Sequence, residues 1–179
     1  MGQKVNPVGF RTGVYRGWNS RWFARGSYAK SFFEDYTIQK VLSEQFSNAE
    51  IDHIEIEKTG DTLRIVIHSA RPGQVIGKKG QEIDAIRKKL SQLLGRDNVE
   101  VSVQEVQNPE LSAPIVARSI ADQLEKRASF KKVMKKAATS SLRAGAKGVK
   151  IRVAGRLAGA EIARDEWIRI GSTPLHTLR

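Results

Sequence analysis

The residues with most chemistry to offer are cations, and they are clustered. Between Lys126 and Ala160 the chain carries Lys126, Arg127, Lys131, Lys132, Lys135, Lys136, Arg143, Lys147, Lys150, Arg152 and Arg156, with no Asp or Glu until Glu161. The whole chain of 179 residues has 31 Lys plus Arg against 19 Asp plus Glu, a net charge of +12. This one tract therefore holds nearly all of the excess. A helix over 130–143 would align Arg127, Lys131 and Lys135 at i, i+4 and i+8, with Lys132 and Lys136 alongside. Phe130, Val133, Met134, Ala137 and Leu142 would form the opposing apolar side. Like charges at that spacing repel unless an anion neutralises them, and the acids that dilute an ordinary solvated face are missing. A polyanion is the expected partner, most often nucleic acid. An anionic membrane would need a large aromatic or leucine-rich apolar face, whereas this one is half alanine and serine.

A second constellation is the loop Gly77-Lys78-Lys79-Gly80, set between Val75-Ile76 and the apolar pattern that starts at Ile83. Glycine lets a phosphate approach the backbone closely, and a helix starting at Gly80-Gln81 would turn its positive dipole end toward an anion. The two lysines add charge with little bulk.

Other chemistries find less support. The only histidines are His53, His68 and His176. His53 and His68 fall opposite each other in the hairpin register derived below, with Glu55 on the same strand face. Two ligands without a third and without an outer shell do not make a metal site, so no metal and no cofactor is assigned. No Walker loop, Gly-x-Ser-x-Gly or His-Glu-x-x-His occurs, and an enzyme is not expected. The absence of cysteine removes disulfides and thiolate metal sites and suits a reducing cytoplasm. The start MGQKVNPVGF has no apolar run of signal-peptide kind, and Asn6 stands where a myristoylation motif needs Ser or Thr. No apolar run approaches membrane-spanning length.

The elements that must position these residues follow from periodicity. Residues 1–27 are crowded with Gly2, Gly9, Gly13, Gly17, Gly26 and Pro7, and read as a basic, glycine-rich arm with interleaved aromatics. Arg heads on phosphates and rings on bases would order such an arm on RNA. Tyr28 to Phe46 turns helical, with Phe32, Tyr36, Val41, Leu42 and Phe46 on the expected buried side. Ile54 and Ile56 alternate with charges, Gly60-Asp61 turns, and Leu63, Ile65 and Ile67 resume the alternation. With Gly60-Asp61 as the loop, Ile56 pairs with Ile65 and Ile54 with Ile67, all on one face. Pro72 opens a short helix. A second helix carries Ile83, Ile86, Leu90, Leu93 and Leu94 and ends near Gly95, and Val99, Val101 and Val103 form a third strand. Beyond Gln107-Asn108-Pro109 come helices over 115–127 and 130–143, strands near 149–153 and 167–170, and a short helix near Ala160. The fold class is α+β: a three-stranded unit over 28–107 with helices on one sheet face, and a second α/β unit over 108–179.

The Ile-Gly-x-x-Gly loop after a short helix, beside three strands, resembles the signature of KH domains, and the order of elements resembles their type II arrangement. That resemblance implies that the loop holds about four single-stranded nucleotides. MGQKVNPVGFR, WNSRWFA, VIGKKG, AGRLAGAEIAR and the final PLHTLR, in this order, resemble the family of bacterial small-subunit ribosomal protein three over essentially the full length. Membership would imply a cytoplasmic ribosomal protein of the small-subunit head. It would bind small-subunit ribosomal RNA and contact messenger RNA at its channel entrance. Its protein partners would be small-subunit proteins ten and fourteen, with no membrane and no homo-oligomer. The family's channel-lining, unwinding-assisting cations match Lys131, Lys132 and Lys135; relatives often carry Arg there, so bidentate phosphate contacts are less available. Contacts to ribosomal RNA would then fall to Lys4, Arg11, Arg16, Arg21, Trp22, Arg25, Arg127, Lys136, Arg143, Lys147, Lys150, Arg152 and Arg156. The family usually continues with further strands that complete the second sheet, so a chain cut at Arg179 is expected to leave that sheet an open edge.

Overall fold

A computed structural model describes residues 4–46, 49–77, 80–175 and 177–178. In chain order the elements are α1 (Pro7–Arg11), β1 (Ser20–Arg21), α2 (Tyr28–Gln45), β2 (Ile51–Thr59), β3 (Thr62–Ser69), α3 (Pro72–Ile76), α4 (Gln81–Leu94) and β4 (Val99–Glu105). They continue with α5 (Ala113–Glu125), α6 (Phe130–Arg143), β5 (Gly148–Gly155) and β6 (Arg164–Gly171). Single 3-10 turns lie at Pro109–Leu111 and Leu157–Gly159, the latter where a short helix near Ala160 is expected. The chain divides into two compact units, residues 17–107 and residues 1–16 with 108–179.

In the 17–107 unit, β2 and β3 form the expected antiparallel hairpin, with Ile56 opposite Ile65 and Ile54 opposite Ile67. Gly60 takes φ +57°, which a residue with a Cβ adopts only with strain. The strand pattern puts Ile54, Ile56, Leu63, Ile65 and Ile67 on one face, where they pack with Ile38 and Leu42 of α2, Val75 of α3, and Ile86 and Leu90 of α4. Each such fully buried side chain contributes roughly 1.5–3 kcal/mol. β4 joins β3 in parallel, which requires the crossover that α3 and α4 supply.

The structure departs from expectation in three places here. The sheet has a fourth strand: β1, inside the expected arm, pairs in parallel with Ile56-Glu57 on the free edge of β2. Leu93 of α4 is exposed, one position off the stripe that Ile86 and Leu90 define. Most tellingly, α2 is rotated about its axis. Ile38, Leu42 and Phe46 form the buried stripe, while Phe32 and Tyr36 are 58% and 55% exposed. The cause is Asp35, which occupies the inward position. Its Oδ1 is 2.7 Å from Lys58 Nζ, an ionic contact without hydrogen-bond alignment, and its Oδ2 accepts the Trp22 indole N–H at 2.6 Å. Lys58 also reaches Glu34 at 3.1 Å, and Arg96 joins Glu34 at 3.2 Å. Once Lys58 is buried, its counter-ions must come with it, and they turn the helix.

In the other unit, Phe130, Val133, Met134 and Ala138 of α6 pack with Ile120 of α5, Ile151 of β5 and Leu157. β5 and β6 pair antiparallel from Gly148–Gly171 to Gly155–Arg164. At the Gly148–Gly171 end the backbones approach so closely that a Cβ on either glycine would collide with main chain. Residues 4–16 are structured rather than loose. Asn6 caps α1 by accepting from the N–H groups of Val8 and Gly9, and the Arg11 guanidinium donates to the carbonyls of Pro174 and Thr177.

Candidate nucleic-acid interface

The loop between α3 and α4 is built by its glycines. Gly77 ends α3 with φ +70° and donates its N–H to Gly73 O; Gly80 begins α4 with φ +79°. Both lie in the left-handed region that favours glycine. A Cβ at Gly77 would also strike the Glu82 side chain, whereas one at Gly80 would meet nothing. Lys78 and Lys79 lie outside the described residues. Glu82 and Asp84 stand in the first turn of α4, so carboxylates already compensate part of its dipole. The sequence reading missed that competition, although both acids are visible at helix positions N2 and N4.

The face of α6 is different in kind. Lys132, Lys135, Lys136 and Arg143 line one shallow depression of ≈ 400 Å³ together with Thr139 and Ser140. The two hydroxyls come from the rows 132-136-140 and 135-139-143, a helical spacing that could have flagged them. Thr139 donates to the Lys135 carbonyl, so its hydroxyl oxygen remains available as an acceptor. Lys131 stands apart, with Nζ 5.9 Å from the centroid of the Phe130 ring. Among the described residues, no carboxylate lies within ion-pair distance of any α6 cation. Lys132 and Lys135 of the expected messenger set are thus interleaved with Lys136 and Arg143 of the expected ribosomal set, while Lys131 lies outside that depression.

Other expected residues are partly engaged. Arg152 pairs with Asp165 at 2.9 Å, Arg156 donates to Ala160 O, and Lys150 lies over the Trp167 ring at 5.7 Å. Arg21 meets Glu57 at 3.4 Å, Arg11 is tied to backbone carbonyls, and Trp22 is held by Asp35 and packs on Tyr28. Lys4, Arg16, Arg25, Arg127 and Lys147 are exposed. Arg127 takes φ +59° at the α5–α6 junction.

On the opposite face of the 17–107 sheet from the apolar core, His53 and His68 stack with centroids 4.0 Å apart. Burial, and then the neighbouring His53, lower the His68 pKa from its ordinary value, against the opposing pull of Glu55 and Asp52. Among the described residues, no helix is long and apolar enough to cross a membrane.

The family model for KH domains matches residues 37–111, and that for the C-terminal domain of ribosomal protein S3 matches residues 120–179. A small ribosomal subunit protein uS3 of Geobacter sulfurreducens is 49% identical over 179 residues, covering all of this chain and 84% of that protein. The chain belongs to the uS3 family of small ribosomal subunit proteins. A uS3 of Thermodesulfovibrio yellowstonii is 48% identical over 179 residues, and one of Beijerinckia indica is 52% identical over 180. Both cover the whole chain, which spans 82% and 74% of their lengths. uS3 is a family of ribosomal proteins rather than of enzymes. The KH match takes in the glycine loop, β2, β3 and β4, and leaves β1 and the aromatic start of α2 outside.

Proposed function

We propose that this chain works in the cytoplasm as part of the small-subunit head, binding small-subunit ribosomal RNA and touching messenger RNA where it enters its channel. Lys131, Lys132 and Lys135 would face the messenger and help open its structure. The observation that carries the reading is the α6 face, a set of cations with no acidic partner among the described residues and two hydroxyls between them. Such a face favours a phosphate backbone and pays no local ion pair to meet it. The Gly77–Gly80 loop, including Lys78 and Lys79, would hold single-stranded RNA by backbone N–H groups. The exposed Lys4, Arg16, Arg25, Arg127 and Lys147 would join Lys136 and Arg143 on ribosomal RNA, with 28–107 as the RNA-binding KH domain and 108–179 as the second domain. Proteins ten and fourteen of the small subunit are the proposed protein partners. The exposed aromatics Phe23, Tyr28, Phe32, Phe33 and Tyr36 support a protein contact on the 17–107 unit.

The test replaces Lys131, Lys132 and Lys135 with Ala in ribosomes assembled with the variant chain. Translation through stable messenger hairpins should slow while subunit assembly is retained. Equal slowing on unstructured messages would overturn the role at the channel entrance.

A further inference from the structure

The open face of the four-stranded sheet carries a cluster that the proposed RNA contacts leave out. His53 and His68 are register partners on β2 and β3, and their rings are stacked within 9° of parallel. Glu55, two residues along β2 and therefore on the same face, places Oε1 3.5 Å from His53 Nε2 and 3.8 Å from His68 Nε2. One donor atom from each of the three residues lies within 4.8 Å of the others. His68 Nε2 is buried, and no hydrogen-bond partner reaches it among the described residues. A buried polar nitrogen left without a partner is destabilising, and an ion would satisfy it.

An outer residue completes the arrangement. The β2–β3 register shifts between Ile51 and His53, so Asp52 has no residue opposite it. A bulge of this kind re-aims a side chain, and here it brings Asp52 Oδ2 to 2.7 Å from His53 Nδ1. A carboxylate accepting from Nδ1–H holds the tautomer whose lone pair is on Nε2, the nitrogen facing Glu55.

We propose that His53, Glu55 and His68 bind one divalent transition-metal ion of the zinc class, one imidazole turning out of the stack so that both in-plane lone pairs converge, with Asp52 orienting His53. Two imidazole nitrogens and one carboxylate suit Zn²⁺, Co²⁺ or Cu²⁺, whereas Mg²⁺ and Ca²⁺ prefer oxygen alone. The charges agree, since Glu55 and Asp52 together offset a dication. Three protein ligands leave a fourth position for water. The ion joins β2 to β3 beside the bulge, where the hairpin ladder is interrupted.

The test uses the full chain, stripped of metal with a chelator and titrated with Zn²⁺ by calorimetry and with Co²⁺ by visible absorption. One ion per chain is expected, with the d–d bands of four-coordinate cobalt. His53→Gln and His68→Gln should abolish both signals, Glu55→Gln should weaken binding, and Asp52→Asn should weaken it about 10–100-fold. His176→Gln, which changes the remaining histidine, should leave binding intact. Zn²⁺ should raise the Tm of the parent by mass action and not that of His68→Gln. Should His68→Gln fail to fold, the gentler Glu55→Gln and Asp52→Asn variants carry the comparison. No binding by the parent would leave a hydrogen-bonded cluster only and overturn the proposal. Binding undiminished in Glu55→Gln and His53→Gln would place the ion elsewhere and overturn it equally.

Discussion

The two units differ sharply in charge. Residues 17–107 contain 13 Lys and Arg against 13 Asp and Glu, whereas residues 1–16 with 108–179 contain 18 against 6. The first unit is neutral and the second carries the entire +12. The cations are also employed differently. In the neutral unit Lys58, Arg71 and Arg96 are committed to Asp35, Glu50 and Glu34. On α6 of the basic unit they face solvent unpaired among the described residues. Charge in one unit holds the fold together, and charge in the other is kept for a partner. On the proposed reading, counterion release weighs most in the basic unit, and backbone and shape weigh more in the neutral one.

The sharpest way to break this contrast is Lys58→Met. Removing the cation leaves Asp35 and Glu34 buried without it, which should cost about 3–5 kcal/mol in urea unfolding. A loss within surface-mutation range would show that the neutral unit's charges are idle too. Next, replacing Lys132, Lys135, Lys136 and Arg143 with Ala should flatten the dependence of log K on log salt for RNA binding by about four. Unfolding free energy should change by less than about 0.5 kcal/mol. Gly77→Ala should behave in the reverse way: strain of about 1–3 kcal/mol and weaker RNA binding, with the salt slope unchanged. A reduced slope would mean that the loop acts by charge after all. The smallest effect belongs to Arg152→Ala, whose exposed pair with Asp165 should be worth under about 1 kcal/mol.

Much of the neutral unit was legible because strand period and turn chemistry are local. Gly60-Asp61 set the register of the whole β2–β3 hairpin, and the glycines at 77 and 80 marked the loop that their backbone angles require. The rotation of α2 was not legible. Aromatic residues at 32 and 36 outweigh an aspartate at 35 in any hydrophobic pattern, and only Lys58, 23 residues away in sequence, reverses that weight. β1 was missed because two residues show no alternation and owe their strand to an edge built later in the chain. The cationic face was legible as composition. Its hydroxyls and the split between Lys131 and its neighbours emerged only with side-chain placement. The Asp52–His53 contact depends on a bulge, and a register drawn from periodicity has no bulges.

The sheet's connectivity bears on how the neutral unit assembles. β2 and β3 meet across a two-residue turn, but Ser20 meets Ile56 and Leu63 meets Val99, each 36 positions apart. Closing the short loop forfeits far less chain entropy than closing either long one. The hairpin is thus the natural nucleus, and β1 and β4 are late additions to its two sides. A ribosome making this chain releases β1 before the hairpin and β4 after it. One side of the hairpin can therefore be covered at once, while the other waits for α3 and α4.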